Sequence, residues 1–282
     1  MKIKLIADSI CDLTPEQLIQ MNVRMVPLTI VKGGVGYKDS LDITPKDIFD
    51  YVESGKGACQ TTAVNIDEYS RVYSEEFADG YDAILHFTIS SELSACCNNA
   101  VIAAAEFKNV YVIDTRLLSS GAGWLVIYAN KLIESGVDAA EIVRLVQEKI
   151  QLSETSFVID TLHYLYKGGR CSGLVALGAN LLNLKPCLEL RGGFIEVGKK
   201  YRGNIEKVVR QYVTERLKAR GDIDLSFCCV SHTFSGKTEF VQSIIELIKE
   251  LQPFGEIYEM PAGCTISNHC GPNTLGVLFT RK

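Results

Sequence analysis

The sequence contains no run of roughly 18 apolar residues, the length that a membrane-spanning helix requires. Its opening residues, MKIKLIADSICD, turn polar after Ala7, so they lack the apolar stretch of about 7 to 15 residues that a secretion signal needs. Proline is scarce, at seven of 282 residues, and 47% of the residues are apolar, which is the composition of a folded chain. These features predict a cytoplasmic protein without integral membrane contact.

An excess of positive charge is also missing. The chain has 29 Lys and Arg against 34 Asp and Glu, which gives a formal net charge of −5. Non-specific binding to nucleic acids depends mainly on positive charge that neutralises phosphates. Nucleic acid is therefore not expected as a partner.

The common signatures of metal, nucleotide and hydrolase sites are absent as well. There is no CxxC, no GxGxxG, no Walker phosphate loop and no GxSxG elbow. The nearest approach to a metal cluster is Cys264, His269 and Cys270, and we expect the ten cysteines to be reduced thiols that act as small core side chains. No metal and no other cofactor is predicted.

Nucleophilic catalysis remains an alternative, because a base and its nucleophile are assembled in space and not in sequence. The four histidines, at positions 86, 163, 232 and 269, include candidates for such a base. One function to be tested is therefore an acyl-substrate hydrolase or transferase that uses Ser94 and His269.

Short apolar runs alternate with helical patterns along the first half of the chain. Strands are predicted at residues 3–7, 26–31, 83–87 and 110–113, and each ends in small polar residues. Helices are predicted from Thr14, as N-cap before Pro15, and at 44–53, 66–78, 93–106, 121–134 and 139–151. This alternation is typical of a parallel sheet with helices on both faces, a three-layer α/β domain.

The pattern changes after about Ser153. Strands are predicted at 157–160, around Gly192-Gly193, and at 225–230, 255–260 and 276–279, with helices at 174–182 and 238–251. With ~100 to 200 residues per domain as the usual size, 282 residues predict two domains. We place an N-terminal α/β domain at 1–153 and a C-terminal α/β domain at 154–282.

Two groups of hydroxyl side chains lie where strands are predicted to give way to helices. They are Thr61-Thr62 and Ser90-Ser91-Glu92-Leu93-Ser94. Ligands of such sheets bind beyond the carboxyl ends of the strands, and helix N-termini bind small anions such as carboxylates. On spacing alone, ordinary N-capping, which Ser and Thr perform at most helix starts, is the more common explanation of the same residues.

Three further segments allow two interpretations each. His269, in a turn before the last strand, is either structural or a hydrogen-bond donor to an anion between the domains. The basic turns that contain Arg170 and Arg202 are either solvated surface or contacts for an anion or a protein partner.

Taken together and in order, several short motifs resemble the DegV family of bacterial fatty-acid-binding proteins over essentially the whole chain. They are Asp8-Ser9 with Asp12-Leu13, Thr61-Thr62, Ser90-Ser91-x-Leu93-Ser94, Val112-Ile113-Asp114, Tyr164-Leu165-x-Lys167-Gly168-Gly169-Arg170, Leu184-Lys185-Pro186, Arg202-Gly203 and His269-x-Gly271-Pro272.

The resemblance implies a non-catalytic protein that encloses one long-chain fatty acid, such as palmitate, stearate or oleate, between its two domains. It implies that Thr61 and Ser94, together with Thr62 and His269, hold the carboxylate. It also implies that the bound acid is presented to a separate fatty acid kinase subunit, which forms an acyl phosphate for phospholipid synthesis, and that Arg170 and Arg202 contact the phosphate or the kinase.

The chain departs from the usual family motifs at three places. The family usually reads TSQP, LSGT and HxGPG where this chain has Thr61-Thr62-Ala63-Val64, Leu93-Ser94-Ala95-Cys96 and a final Asn273. Asn tolerates positive φ better than most residues other than Gly, so we expect the last turn to persist.

Overall fold

The computed structural model describes residues 1–171 and 184–282. The helix predicted at 174–182 lies outside the described residues. The strands are β1 Ile3–Asp8, β2 Val23–Val26, β3 Thr29–Lys32, β4 Val35–Lys38, β5 Gln60–Thr62, β6 Ala83–Thr88, β7 Val110–Asp114, β8 Ser153–Val158, β9 Leu184–Arg191, β10 Phe194–Arg202, β11 Phe227–His232, β12 Glu256–Pro261 and β13 Leu275–Thr280.

The helices begin and end where local sequence signals place them in most cases. They are α1 Pro15–Gln20, α2 Pro45–Glu53, α3 Ile66–Ala78, α4 Cys96–Ala104, α5 Ser119–Glu134, α6 Ala139–Leu152, α7 His163–Gly168, α8 Ile205–Leu217, α9 Thr238–Leu251 and α10 Cys264–Cys270, with a 3₁₀ turn at Ser9–Cys11.

The first sheet is parallel throughout and has the order β2-β1-β6-β7. Helices α3 and α4 pack as one pair and α5 and α6 as another, and all four contact β6, every residue of which is buried. Burial on both faces explains the nearly continuous apolar sequence of this strand. The predicted three-layer α/β arrangement is confirmed.

The second sheet has six strands in the order β10-β9-β8-β13-β11-β12 and is antiparallel except between β11 and β12. Helices α8 and α9 pack together on it, while α5 contacts β11 and β13 of this sheet as well as β1 and β6 of the first. Helix α5, most of whose residues are buried, therefore contacts both sheets. Along the chain, the six-stranded sheet begins with β8 at Ser153. We therefore propose the domain division at 153, as predicted from the sequence.

The prediction of one continuous strand at 26–31 is wrong. The strand is interrupted at Pro27 and Leu28: Val23–Val26 pairs with β1, whereas Thr29–Lys32 belongs to a separate three-stranded sheet, β4-β3-β5. Proline lacks the N–H that a continuing ladder needs, which gives the physical reason for the break. This small sheet carries Thr61 and Thr62 on β5.

No helix in the described parts of the chain combines the length and the apolar character that crossing a membrane demands.

Candidate functional site

A cavity lies where β5, the loop before α4, α7 and α10 meet. Most of its wall is apolar and is formed by Leu28, Ala63, Ile89, Leu93, Leu118, Leu165, Ile195, Ile266 and Cys270. Its polar residues are Thr61, Thr62, Ser94, Arg170, Thr265 and His269. The fold thus brings together five of the six residues singled out in the sequence, which are separated by up to 208 positions along the chain.

The centre of the polar part is a contact between Thr61 and His269. The Thr61 hydroxyl lies 2.9 Å from Nε2 of His269, so β5 and α10 are joined by a hydrogen bond. Burial, and next the charge of Arg170, lower the pKa of His269 to about 4. The imidazole is therefore neutral at pH 7, with one ring nitrogen that donates and one that accepts.

Gly168, the last residue of α7, packs against the His269 imidazole on the side of Nδ1. A Cβ at position 168 would lie within 3.0 Å of two ring atoms of His269, so only glycine lets the end of α7 approach the ring. Arg170 folds back, and its guanidinium donates to the Gly168 carbonyl at 2.7 Å. This exposed arginine stands at the rim of the cavity, beside the hydroxyls and the histidine.

Ser94 lies two residues before the first residue of α4. Its hydroxyl donates to Sγ of Cys96 at 3.2 Å and accepts from the Cys96 backbone N–H at 3.3 Å. The N-cap residue, Ala95, has no side-chain acceptor, so the other amides at this helix end receive no cap from it. Ser94 therefore points a polar group into the cavity next to a helix N-terminus.

The capping interpretation is wrong for Thr61 and Thr62. Both belong to β5, and α3 is capped by Asn65, whose side chain accepts from the N–H of Glu68 at 2.8 Å. The hydroxyl of Thr61 is instead engaged by His269, and Thr62 is exposed at the cavity. Of these three residues, only Ser94 acts as a helix cap, through its bond with the backbone N–H of Cys96.

Arg202 occupies a different place. It ends β10, opposite Leu184 of β9, and it is exposed and does not contribute to the walls of this cavity. Asn273, in the turn that follows α10, has φ of 58°, which confirms the expectation that asparagine replaces glycine there.

Sequence reasoning missed the helix that carries His269. The N-terminus of α10 is held by two buried carboxylates: Asp39 accepts from the N–H groups of Cys264 and Thr265, and Asp12 accepts from that of Gly263 at 2.8 Å. Burial raises the pKa of Asp12 to about 8. In the sequence, Asp12 is only part of a motif and no pattern around Asp39 indicates a role at the site, because their partners lie more than 220 residues away.

The arrangement does not have the geometry of a catalytic dyad. His269 Nε2 bonds to Thr61 and not to Ser94, and Nδ1 has no hydrogen-bond partner within residues 1–171 and 184–282. A hydrolase needs a base in contact with its nucleophile and oriented by a third group. Among these residues there is also no group of three His, Cys, Asp or Glu placed to hold a metal ion.

Comparison with known proteins gives one consistent result. The family model described as "Uncharacterised protein, DegV family" matches residues 2–282. A DegV domain-containing protein of Caldanaerobacter subterraneus is 32% identical, over 100% of this chain and 99% of its own. A curated relative from Thermotoga maritima named fatty acid-binding protein is 26% identical, over 98% of this chain and 96% of its own.

A solved structure agrees with these relatives. A DegV family protein from Thermus thermophilus, described as binding fatty acid, superimposes with a TM-score of 0.90 at 31% identity, with 100% of both chains covered.

Proposed function

The chain belongs to the DegV family, and from this premise we propose that it binds one long-chain fatty acid without transforming it. The observation that carries the proposal is the composition of the cavity. A group of hydroxyls and a neutral imidazole occupies one part of an otherwise apolar wall. Relatives of similar length from Thermus and Thermotoga are described as fatty-acid-binding proteins.

The polar part suits a carboxylate. Thr62 and Ser94 can each donate one hydroxyl proton, and Thr61 can donate its own when neutral His269 donates to the Thr61 oxygen through Nε2. Hydrogen bonds to a charged acceptor contribute ~1.5 to 3 kcal/mol each.

The apolar part suits an acyl chain, but its side chains must move. The cavity measures about 50 Å³, which at about 10 to 15 Å³ per water has room for a few water molecules. An acyl chain therefore enters by separating side chains such as Leu118, Ile266 and Cys270. Burial of fourteen methylenes, at ~0.8 kcal/mol each, supplies on the order of 11 kcal/mol, from which the work of this rearrangement is subtracted.

Affinity should consequently rise with the length of the acid. We expect about a fourfold gain per methylene from butyrate upward until the chain fills the available space, measured by displacement of a fluorescent fatty acid. Mass spectrometry of protein purified from cells and then denatured should detect about one long-chain fatty acid per chain. Equal affinity for acetate and palmitate would contradict the proposal.

The competing function, an acyl hydrolase or transferase based on Ser94 and His269, predicts turnover. Incubation of the purified protein with acyl esters should release no acid above the uncatalysed rate if the protein is a carrier. Turnover that is lost in Ser94→Ala would establish the enzyme instead.

We further propose that the bound acid is presented to a separate fatty acid kinase. Phosphorylation adds charge at the carboxylate, and a guanidinium binds phosphate oxygens in a fork. Arg170 stands at the rim of the cavity, and Arg202 is exposed on β10, where a partner can reach it. The ten buried cysteines suit a reducing compartment, which supports a cytoplasmic location.

Variants of the two arginines should separate fatty acid binding from acyl-phosphate formation. Arg170→Ala and Arg202→Ala should bind fatty acid nearly as the wild type does, and should form acyl phosphate at least about 10-fold more slowly with a fatty acid kinase and ATP, because a lost charged hydrogen bond corresponds to ~1.5 to 3 kcal/mol. Arg71→Ala, which removes an exposed arginine on α3, is the matched control. Wild-type rates in both variants would remove these arginines from the transfer step.

A further inference from the structure

A second cavity adjoins the one that holds Thr61, Ser94 and His269. It measures about 20 Å³, the space of about one water molecule. Leu118, Ile266 and Cys270 belong to the walls of both cavities, so the two spaces share one side of their lining. A chain that enters at the polar part of the first cavity and passes them arrives in the second.

The wall of the second cavity is unusually rich in polar side chains for the far end of an apolar site. They are Ser119, Thr155, Ser156, Ser231, His232, Thr233 and Thr274.

Most of these polar groups are satisfied within the protein. Ser119 and Ser231 bond to each other at 2.8 Å, Thr233 donates to the Gly271 carbonyl at 2.7 Å, and Thr274 donates to the Cys270 carbonyl at 3.0 Å. They hold β11, α5 and the turn after α10 in place, and they offer little to a ligand.

Two of the groups are not satisfied. Oγ1 of Thr155 and Nδ1 of His232 are buried and have no hydrogen-bond partner anywhere in the two described stretches of chain. The two residues are only 3% and 7% exposed. A buried polar atom without a partner costs ~1 to 3 kcal/mol, so both atoms favour an occupant that can bond to them.

The chemistry of the pair selects that occupant. His232 Nε2 lies 3.2 Å from a carboxylate oxygen of Glu259, which can accept the Nε2 proton; in a neutral imidazole this tautomer has Nδ1 as an acceptor. The Thr155 hydroxyl can donate its proton. An alcohol supplies both roles, because its O–H can donate to Nδ1 and its oxygen can accept from Thr155. A plain methylene or methyl group matches neither.

We propose that this second cavity is a subsite for a hydroxyl group on the distal part of the acyl chain, so that hydroxylated long-chain fatty acids are preferred ligands. The proposal rests on the fatty acid binding proposed above and specifies the class of acid. Thr155 and His232 are the residues that determine this specificity.

The test compares stearic acid with a series of monohydroxystearic acids whose hydroxyl stands at successive positions from mid-chain to the terminal carbon. Dissociation constants are measured by competition on the full-length protein after removal of bound lipid. One or two adjacent positional isomers should bind about 10-fold more tightly than stearate, because two buried polar atoms gain partners. Isomers with the hydroxyl elsewhere should bind more weakly than stearate, because their hydroxyl is buried without a partner.

Variants of Thr155 link the preference to the subsite. Thr155→Val keeps the shape of the side chain and should raise the affinity for stearate while it reduces the preference for the best isomer to below about 3-fold. Thr155→Ser retains the hydroxyl and should retain the preference, and it serves as the conservative control if the valine variant is unstable.

The outcomes are distinguishable. Binding of stearate with no isomer preferred would overturn the subsite, leave the fatty acid function intact and assign the second cavity to solvent. An equal preference in wild type and Thr155→Val would place the recognition of the hydroxyl elsewhere and overturn the subsite too. Binding of neither acid would overturn the proposed function itself.

Discussion

The double variant Thr61→Val, Ser94→Ala is expected to bind long-chain fatty acids ~10- to 1000-fold more weakly than the wild type, because two hydrogen bonds to the carboxylate are lost at a combined ~1.5 to 4 kcal/mol. The Thr61 hydroxyl is also oriented by its 2.9 Å bond to His269, so its replacement leaves that imidazole without its partner in the site. Valine suits the strand β5, and alanine at 94 removes only the bonds to Cys96. Titration of a fluorescent fatty acid gives the constants.

Two remote hydroxyls supply the control for this variant. Thr214→Val removes the hydroxyl of a half-buried residue in α8, and Ser135→Ala removes that of an exposed residue at the end of α5; each hydroxyl bonds to a carbonyl of its own helix. This control should bind as the wild type does, and both double variants should retain the thermal midpoint within a few degrees. A folded Thr61→Val, Ser94→Ala protein with unchanged affinity would show that the carboxylate lies elsewhere.

Gly123→Ala should lower the free energy of unfolding by about 2 kcal/mol, since overpacking against a backbone atom costs ~3 kcal/mol, the upper end of the usual range, and alanine returns only ~1 kcal/mol of helix propensity. A Cβ on this residue of α5 would lie within 3.0 Å of the backbone carbonyl oxygen of Cys11 and of Cε of Met260. A backbone atom cannot rotate away as a side chain can. The helix must therefore shift against the 3₁₀ turn and against both sheets that it contacts.

Urea unfolding of the two proteins measures this effect. Gly221→Ala is the matched control, because a Cβ at that glycine meets no atom within 4 Å, and it should change the stability by no more than about 0.5 kcal/mol. Because Leu118 and Ser119 at the start of α5 line the two cavities, the Gly123 variant should also bind fatty acid more weakly. A stability equal to that of the wild type would show that α5 has room to move.

Local chemistry in the sequence was sufficient for the helices and strands whose signals involve near neighbours. Helices Ile66–Ala78 and Thr238–Leu251 match their predicted bounds, and Thr14 caps α1 through its bond with Gln17, followed by Pro15. Periodicity and capping involve residues within one or two turns of each other, so they can be read along the chain. The parallel sheet follows from the same information, because regular alternation of strands and helices is typical of parallel sheets.

The candidate site could be predicted from the sequence only as separate residues. Motifs in the order typical of the DegV family identified Thr61, Ser94 and His269, and the family itself is confirmed over residues 2–282. Nothing local indicated that Thr61 lies in a strand and bonds to His269, or that Thr155 and His232 line one small cavity.

The sequence by itself determined the class of fold, the family and most element boundaries, because these depend on periodicity, capping and motifs that neighbouring residues define. Only the tertiary structure decided that Thr61 and Thr62 are not helix caps and that the strands on either side of Pro27 belong to different sheets. It also decided that Asp12 and Asp39 bind the N-terminus of the helix that carries His269. The bonds of Thr61 with His269 and of Asp12 and Asp39 with the start of α10 span more than 200 residues, so these groups meet only in the folded chain. Hydrogen bonds of that range follow from packing and leave no periodic trace in the chain.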